Sequence, residues 1–233
     1  MNILVIIPVF NEAMNIENTV SGLTRVCSDM DYVIVNDGSK DNTADIIKRN
    51  NYNCLNLPVN VGLHGALQTG FKYASVMGCY DAIVQFDGDG QHNPEFIYTM
   101  VNEMRETGAD IVIASRFKEE NRGGGLRMLG SFLISHLIKL TTGQKITDPT
   151  SGMRMFKKNI IDEFAWSMNY GPEPDTVAYL IKNGAKVSEI QATMNERVHG
   201  ESYLNFTRSL RYMMHMCVSI TFIQFFRKRA EKA

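Results

Sequence analysis

The sequence predicts an α/β fold in which a mostly parallel β-sheet is flanked by helices. Short apolar runs rich in Ile and Val alternate with longer segments of helical periodicity through the first half of the chain. Because these runs are continuously apolar, they are typical of strands buried on both faces. A length of 233 residues suits one large core. Strands that alternate with helices in this way imply βαβ units with right-handed crossovers.

The elements follow in order along the chain. Strands are predicted at residues 3–7, 32–36, 81–86 and 109–115, with a late strand within 185–198. Helices are predicted at about residues 12–28, 41–50, 62–77 and 94–107. Asn93 and Pro94 are a typical cap and first turn for the last of these helices. Residues 116–128 are predicted to form a polar, glycine-rich loop, and residues 147–158 a turn-rich connection.

Composition narrows the class of protein and its location. A net charge of −1 gives no basic excess, so no nucleic-acid partner is expected. The four cysteines form no CxxC pair, which argues against a disulfide framework or a structural zinc site and indicates a cytoplasmic protein. The apolar N-terminus has no basic region before it and is interpreted as a strand, not a signal peptide. The apolar run 212–226 has 15 residues, fewer than the roughly 20 that span a bilayer.

Polar residues collect where the predicted strands end. Asn11 and Glu12 follow the first strand, Asp37 follows the second, and Asp87 and Asp89 follow the strand at 81–86. In doubly wound sheets, ligands bind outside the carboxyl ends of the strands. An acidic rim at this edge is typical of a site for a metal, a sugar hydroxyl or a nucleotide base.

Asp87 and Asp89 form the pair most suggestive of chemistry. If the strand stays extended, residues two apart face the same side, and a divalent cation would offset the repulsion between the carboxylates. A plain surface turn is about equally compatible with "DGD" alone, because Asp-Gly pairs favour turns. An EF-hand is excluded because its sixth and twelfth positions would be His92 and Tyr98. No G-x-G-x-x-G follows the first strand, which excludes a dinucleotide-binding fold.

The ordered motifs resemble those of one family. They are "IPVFNE", "NDGSKDNT", "NVGLHGALQTGFKYA", "QFDGDGQHNP", "ASRF", "DPTSGMRMF" and "NERVHGESY". Together they resemble the family 2 glycosyltransferases of the GT-A type, a Rossmann-like fold, and within these the polyprenyl-phosphate sugar transferases of the dolichol-phosphate mannose synthase group. The resemblance covers roughly residues 3–203. It implies a GT-A domain over 1–200, with a nucleotide-sugar half at 1–115 and an acceptor half at 116–200, followed by a tail at 201–233.

The resemblance also implies roles for individual residues. The residues expected to bind the nucleotide-sugar are Pro8, Asn11, Glu12, Asp37 and Asp87. The residues expected to hold Mg²⁺ or Mn²⁺ against the diphosphate are Asp87, Asp89 and Gln91. The residues expected to bind an acceptor phosphate are Arg116, Arg127, Arg154, Arg197 and His199, since the forked guanidinium suits phosphate. The catalytic set is Asp87, Asp89, Arg116, Arg127 and Asp175.

Two points on the acceptor side qualify these roles. Asp175 is preferred to Glu173 as the carboxylate that approaches the acceptor. It would act as a base only if the acceptor were a hydroxyl, because a phosphate monoester is already largely ionised at pH 7. Tyr203 stands where the family often has Lys, so a phosphate-binding charge is missing there or is supplied by Lys139 or Arg208.

Two apolar segments suggest contact with a membrane surface. Residues 126–140 have leucines at helical spacing and are predicted to form an amphipathic helix, with a core-facing helix as an equal alternative. The tail, with aromatic residues and basic ends, resembles an interfacial anchor. It could equally pack against a small membrane protein or a second copy of the chain.

The predicted function is inverting transfer of a hexose from a nucleotide-sugar to a polyprenyl phosphate such as undecaprenyl phosphate. UDP-glucose and UDP-N-acetylglucosamine are the favoured donors. The product, a sugar linked to a lipid phosphate, would serve as a donor for cell-surface polysaccharide modification. The enzyme would lie on the inner face of the cell membrane. One alternative is a glycosyltransferase with a saccharide hydroxyl acceptor. Alternatives of other classes are a sugar-nucleotidyltransferase, disfavoured because no glycine- and arginine-rich loop follows the first strand, and a catalytically silent nucleotide-binding regulator.

Overall fold

The computed structural model describes residues 1–118, 126–166, 171–195 and 206–222, and for 126–129 and 206–210 it describes the backbone alone. The strands are β1 (Ile3–Val9), β2 (Asp31–Asn36), β3 (Cys54–Asn56), β4 (Ala82–Gln85), β5 (Ile111–Ser115), β6 (Arg154–Lys157) and β7 (Val187–Gln191). The helices are α1 (Ile16–Val26), α2 (Thr43–Arg49), α3 (Gly62–Met77), α4 (Glu95–Thr107), α5 (Leu126–Thr142), α6 (Lys158–Trp166), α7 (Pro174–Lys182) and α8 (Phe206–Thr221).

The seven strands form one sheet in the order β3-β2-β1-β4-β6-β5-β7. Strands β1, β2, β3 and β4 pair in parallel, as do β5 and β7, whereas β6 runs antiparallel to both β4 and β5. The carboxyl ends of β1, β2 and β4 therefore meet at one edge of the sheet, where the polar motifs of the sequence follow.

The predicted strands and helices of the first half are confirmed, and the second half departs from the prediction. The strand expected at 81–86 is shorter, Ala82–Gln85, and the late strand is confined to Val187–Gln191. Within the expected connection 147–158 lies the strand β6, while β3, α6 and α7 have no counterpart in the prediction. The predicted loop at 116–128 includes the first residues of α5, and its residues 119–125 lie outside the described part of the chain.

Hydrophobic cores lie on both faces of the sheet. Helices α1, α2 and α4 cover one face, and α3, α5, α6, α7 and α8 cover the other. On the second face, Phe71 of α3, Phe156 of β6 and Phe164 of α6 pack with ring centroids 4.7–5.4 Å apart. Such aromatic contacts stabilise the layer by about 0.5–1.5 kcal/mol each beyond the area that they bury.

Helix α8 packs against the rest of the molecule. Met216 and Ile220 are 4% and 0% exposed and belong to the core that α5 and α7 share. Gly130 of α5 lets the two helices approach closely, because a Cβ there would lie 1.7 Å from the sulfur of Met213. The described half of the predicted tail is thus integrated into the fold, whereas residues 223–233 lie outside the description. Among the described helices, none has the length and apolar character needed to cross a bilayer.

Candidate functional site

The chain turns sharply where β4 ends. After Gln85 it leaves the sheet, and Gly88 and Asp89 form a turn. The strand does not stay extended through Asp89, so the condition under which Asp87 and Asp89 would face the same side is not met. Gly88 packs on the end of β1, where a Cβ would lie 2.5 Å from Cγ1 of Val9 and 3.2 Å from the carbonyl oxygen of Pro8. This close approach explains why glycine stands between the two aspartates.

His92 braces the first aspartate of this turn. The backbone N–H of Asp87 donates to Nδ1 of His92 at 2.9 Å, and Nε2 of His92 lies 3.5 Å from Oδ2 of Asp87. The His92 side chain is 5% exposed, whereas that of Asp87 is 34% exposed and open to a ligand. Sequence reasoning assigned His92 no role, although its place just after the aspartate pair was the available signal.

Asp89 and Gln91 complete the turn. The backbone N–H of Gln91 donates to Oδ1 of Asp89 at 3.1 Å, and both side chains are partly exposed. Two carboxylates and one amide oxygen are the donors that Mg²⁺ and similar hard cations prefer, so the residues of the turn fit such an ion. Within the described ranges, no three His, Cys, Asp or Glu side chains converge into a complete metal site. A cation here would need further ligands from substrate or water.

The loops after β1 and β2 are tied together. Asn11 adopts a left-handed backbone (φ 57°), its N–H donates to Oγ of Ser39, and its Oδ1 accepts from the N–H of Lys40 at 2.8 Å. The N–H of Glu12 donates to Oγ1 of Thr43 at 3.0 Å. These bonds hold Asn11 and Glu12 at the edge where β1 ends, beside the loop that begins at Asp37. Pro8 is buried within β1, opposite Val35 of β2.

Asp37 holds the start of α3. Its side-chain oxygens accept hydrogen bonds from the backbone N–H groups of Val61 at 2.7 Å and Gly62 at 2.9 Å, and the residue is 3% exposed. A carboxylate at the first N–H groups of a helix satisfies donors that have no partner within the helix. Asp37 thus joins the end of β2 to α3, and its expected contact with a nucleotide base stays a prediction.

Arg116 is paired with a buried aspartate. Its Nε and Nη2 donate to the two carboxylate oxygens of Asp148 at 2.7 and 2.9 Å. The Asp148 side chain is 0% exposed and that of Arg116 is 40% exposed. Burial alone would raise the pKa of Asp148, but the hydrogen bonds and charge of Arg116 outweigh burial and lower it. Arg116 therefore has one side in an ion pair and the other towards solvent, and its role in phosphate binding stays a prediction.

Arg154 is buried under the loop that precedes β6. It is 3% exposed, and its guanidinium donates to the backbone carbonyls of Ser151 at 2.9 Å, Pro149 at 2.6 Å and Pro172. Burial lowers the pKa of Arg154, which the nearby carboxylate of Glu173 opposes. In this arrangement the guanidinium of Arg154 binds backbone carbonyls and does not face a ligand. The expected contact with an acceptor phosphate would require the guanidinium to leave these carbonyls.

The acids at the start of α7 bond to hydroxyls of α8. Tyr212 donates to Oε2 of Glu173, and Ser219 donates to Oδ2 of Asp175 at 2.5 Å. Asp175 is 3% exposed, and its Oδ1 accepts from the N–H of Thr176 at 2.9 Å. The structure thus turns Asp175, the preferred acid, towards α8. Tyr212 and Ser219 were missed in the sequence, since nothing local marks a partner some 40 residues away.

The loop before β6 reaches the aspartate turn. A Cβ on Gly152 would lie 2.5 Å from Oδ2 of Asp87 and 3.5 Å from Cε1 of His92. Glycine at position 152 therefore leaves room for the carboxylate of the candidate metal ligand Asp87. For Arg127 only the backbone, in the first turn of α5, is described; Arg197 and His199 lie outside the described residues.

Comparison with known proteins identifies the family. The family model described as "Glycosyl transferase family 2" matches residues 4–164, which is more than half of the chain. The chain belongs to glycosyl transferase family 2. The predicted family is confirmed, and the protein is a glycosyltransferase.

Two relatives with named activities cover most of the chain. The undecaprenyl-phosphate mannosyltransferase of Micrococcus luteus is 29% identical over an alignment of 220 residues that covers 88% of each protein. The undecaprenyl-phosphate 4-deoxy-4-formamido-L-arabinose transferase of Shewanella sediminis is 28% identical over an alignment of 229 residues that covers 93% of this chain and 66% of that protein. Similarity to both extends beyond residue 164, the last residue that the family model matches.

A solved structure confirms the predicted fold class. Glucosyl-3-phosphoglycerate synthase from Mycobacterium tuberculosis, crystallised with Mn²⁺, UDP-glucose and phosphoglyceric acid, superposes with a TM-score of 0.68 at 18% identity. The match covers 94% of this chain and 79% of that one. The GT-A-like arrangement of a mostly parallel sheet between helices is thus shared across almost the whole chain.

Proposed function

We propose that this glycosyltransferase moves a hexose from a nucleotide-sugar to a polyprenyl phosphate, with inversion at the anomeric carbon. The two relatives described above are named for undecaprenyl phosphate, and their similarity extends through the acceptor half. UDP-glucose and UDP-N-acetylglucosamine remain the favoured donors, on the family resemblance of the sequence. The lipid-linked sugar would then serve as a donor for cell-surface polysaccharide modification.

The choice of acceptor rests on the hydrogen bonds of the two carboxylates at the start of α7. Glu173 and Asp175 both accept hydrogen bonds from hydroxyls of α8, and Asp175 is almost fully buried. A hydroxyl acceptor needs a base that can take its proton. A phosphate monoester needs none, because its second pKa is about 6 and it is largely dianionic at pH 7. The arrangement therefore favours a phosphate acceptor over a saccharide hydroxyl.

On the donor side, Asp87, Asp89 and Gln91 would hold Mg²⁺ or Mn²⁺. When bound, the cation stabilises the negative charge that develops on the departing nucleoside diphosphate. His92 holds the backbone of Asp87 in place, and Asp37, Asn11 and Glu12 form the edge where the nucleotide would lie. Arg116, on the exposed side of its ion pair with Asp148, can present positive charge to the acceptor phosphate.

The proposal includes a peripheral position on the inner face of the cell membrane. Polyprenyl phosphate places the acceptor at a bilayer surface, so the enzyme must approach it. Several side chains of α5, and of α8 with the residue after it, are large, apolar and exposed: Phe132, Leu133, Leu140, Met214, Val218 and Phe222. Neither helix contains an Asp or Glu, and their exposed cations Lys139 and Arg211 would favour an anionic lipid surface.

A radiolabelled transfer assay with Mn²⁺ tests the function. UDP-glucose, UDP-N-acetylglucosamine and GDP-mannose are each paired with undecaprenyl phosphate and with a saccharide acceptor. We expect one donor to yield a lipid-soluble product, Asp89→Ala to lower the rate at least about 100-fold, and Asp175→Asn to stay within a few-fold of wild type. Transfer to the saccharide alone, abolished by Asp175→Asn, would show that the acceptor is a hydroxyl.

A further inference from the structure

Two hydroxyls of α8 hold the start of α7. Tyr212 donates to Glu173, which precedes the first residue of α7, and Ser219, two turns further along α8, donates to Asp175. Burial, and then the charge of Glu173, raise the pKa of Tyr212 far above its ordinary value, so its hydroxyl stays protonated and donates a hydrogen bond to the carboxylate. Helix α8 lies beyond residue 164, outside the part of the chain that the family model matches.

The residue just before Glu173 in the chain contacts the buried Arg154. The guanidinium of Arg154 binds the carbonyl of Pro172, the residue just before Glu173. Among the described residues, no carboxylate is within ion-pair distance of Arg154, and Glu173 is the strongest of the negative charges that act on it. A buried charge without compensation is costly, so the position of Glu173 matters for where Arg154 stays.

Arg154 in turn holds the loop that touches the candidate metal ligand. It binds the carbonyls of Pro149 and Ser151, and Gly152 of the same loop packs against the carboxylate of Asp87. Gln85, opposite Arg154 in the register of β4 and β6, has a buried side-chain oxygen with no partner in the described structure. An Arg154 that lost the charge of Glu173 would have an alternative acceptor within the sheet.

We propose that Tyr212 is a positioning residue for the metal site. Its hydroxyl fixes Glu173, Glu173 compensates Arg154, and Arg154 holds the loop that sets the place of the Asp87 carboxylate. The proposal rests on the proposed function only in taking Asp87 as a metal ligand. It connects α8, a helix with an exposed apolar face, to the candidate metal ligand Asp87 through Glu173, Arg154 and the loop before β6.

Binding of Mn²⁺ alone, followed by the electron paramagnetic resonance of the free ion, tests this role without donor or acceptor. Tyr212→Phe keeps the ring and removes only the hydroxyl. We expect it to raise the dissociation constant for Mn²⁺ by about 3- to 10-fold, less than the roughly 10- to 100-fold that the loss of a direct partner of a metal ligand costs, because Tyr212 acts through two other residues. Glu173→Gln, which still accepts from Tyr212 but lacks the charge, should raise it by a similar factor.

Ser219→Ala is the matched control, because it removes the other hydroxyl–carboxylate bond between the same two helices. We expect it to lower the thermal unfolding midpoint about as much as Tyr212→Phe while leaving Mn²⁺ affinity unchanged. If both variants change Mn²⁺ affinity alike, or if Tyr212→Phe leaves it unchanged, Tyr212 is only structural and the proposal is overturned. A wild-type protein that binds Mn²⁺ but glycosylates no lipid phosphate would contradict the proposed function and leave this comparison valid.

Discussion

The ion pair between Arg116 and Asp148 makes stability depend on pH. The folded state lowers the pKa of Asp148, so the carboxylate contributes stability above its ordinary pKa of about 3.9 and loses that contribution as the pH falls through the lower, folded value. Asp148→Asn removes this contribution. We expect the variant to lose about 2–3 kcal/mol at pH 7, less than the 3–5 kcal/mol of a fully buried pair because Arg116 is 40% exposed.

Urea unfolding at pH 7 and at several values below pH 4 measures this effect. The wild-type protein should lose stability more steeply than Asp148→Asn as the pH falls, so the two curves should converge in acid. Glu106→Gln, at an exposed position of α4, is the control and should change the free energy of unfolding by less than about 0.5 kcal/mol. Parallel curves for wild type and Asp148→Asn would contradict the assigned pKa shift.

Some features of individual side chains could be predicted from the sequence and others could not. The aspartate turn was predictable, because Asp87 and Asp89 lie only two residues apart, with Gly88 between them, and follow an apolar run. The partners of Arg116 and Arg154 were not, because Asp148 and Pro172 lie 32 and 18 residues away and only the tertiary fold brings them together. An arginine in a motif can bind a ligand or support a loop, and the sequence does not distinguish the two.

Among the elements, those with continuous apolar runs were predicted and the short ones were not. Strand β6 has four residues and follows a segment rich in Pro, Thr, Ser and Gly, so the local signal indicates a turn. Its strand conformation comes from pairing on both sides, with β4 and β5. Helix α7 is preceded by Pro172 and Glu173 and begins at Pro174, which obscured its helical pattern. The conformations of β6 and α7 are thus set by tertiary pairing and packing more than by the local sequence.

Helix α8 is the element whose predicted role differs most from its packing. If it belonged to an independent tail, its side chains would not matter for the stability of the core. Ile220 is 0% exposed in the core shared with α5 and α7, so we expect Ile220→Ala to cost about 2–5 kcal/mol of unfolding free energy. Val218→Ala, at a 51% exposed position of the same helix, should change it by less than about 0.5 kcal/mol. Equal, small effects in denaturant titrations would mean that α8 does not pack on the domain in solution.

At the scale of the molecule, the helices on the two faces of the sheet differ in charge and in exposed apolar side chains. The helices α1, α2 and α4 each have an acidic residue in their first turn. On the other face, α5 and α8 contain no Asp or Glu and expose six large apolar side chains on or next to them. An exposed apolar surface with cations around it fits the headgroup region of an anionic bilayer. Both helices of this surface also contact α7, at whose start lie Glu173 and Asp175.

Co-sedimentation with vesicles tests whether this face meets the membrane. Phe132→Glu and Met214→Glu each place a carboxylate where an exposed apolar side chain stands, so each should lower the affinity for vesicles containing phosphatidylglycerol about tenfold or more. Asn18→Glu adds the same charge on α1, across the sheet, and should bind as wild type does. Binding should weaken when phosphatidylglycerol is replaced by phosphatidylcholine, because Lys139 and Arg211 then lose their attraction to the surface. Equal losses for all three variants would reflect net charge alone, and no loss in the first two would place the membrane contact elsewhere.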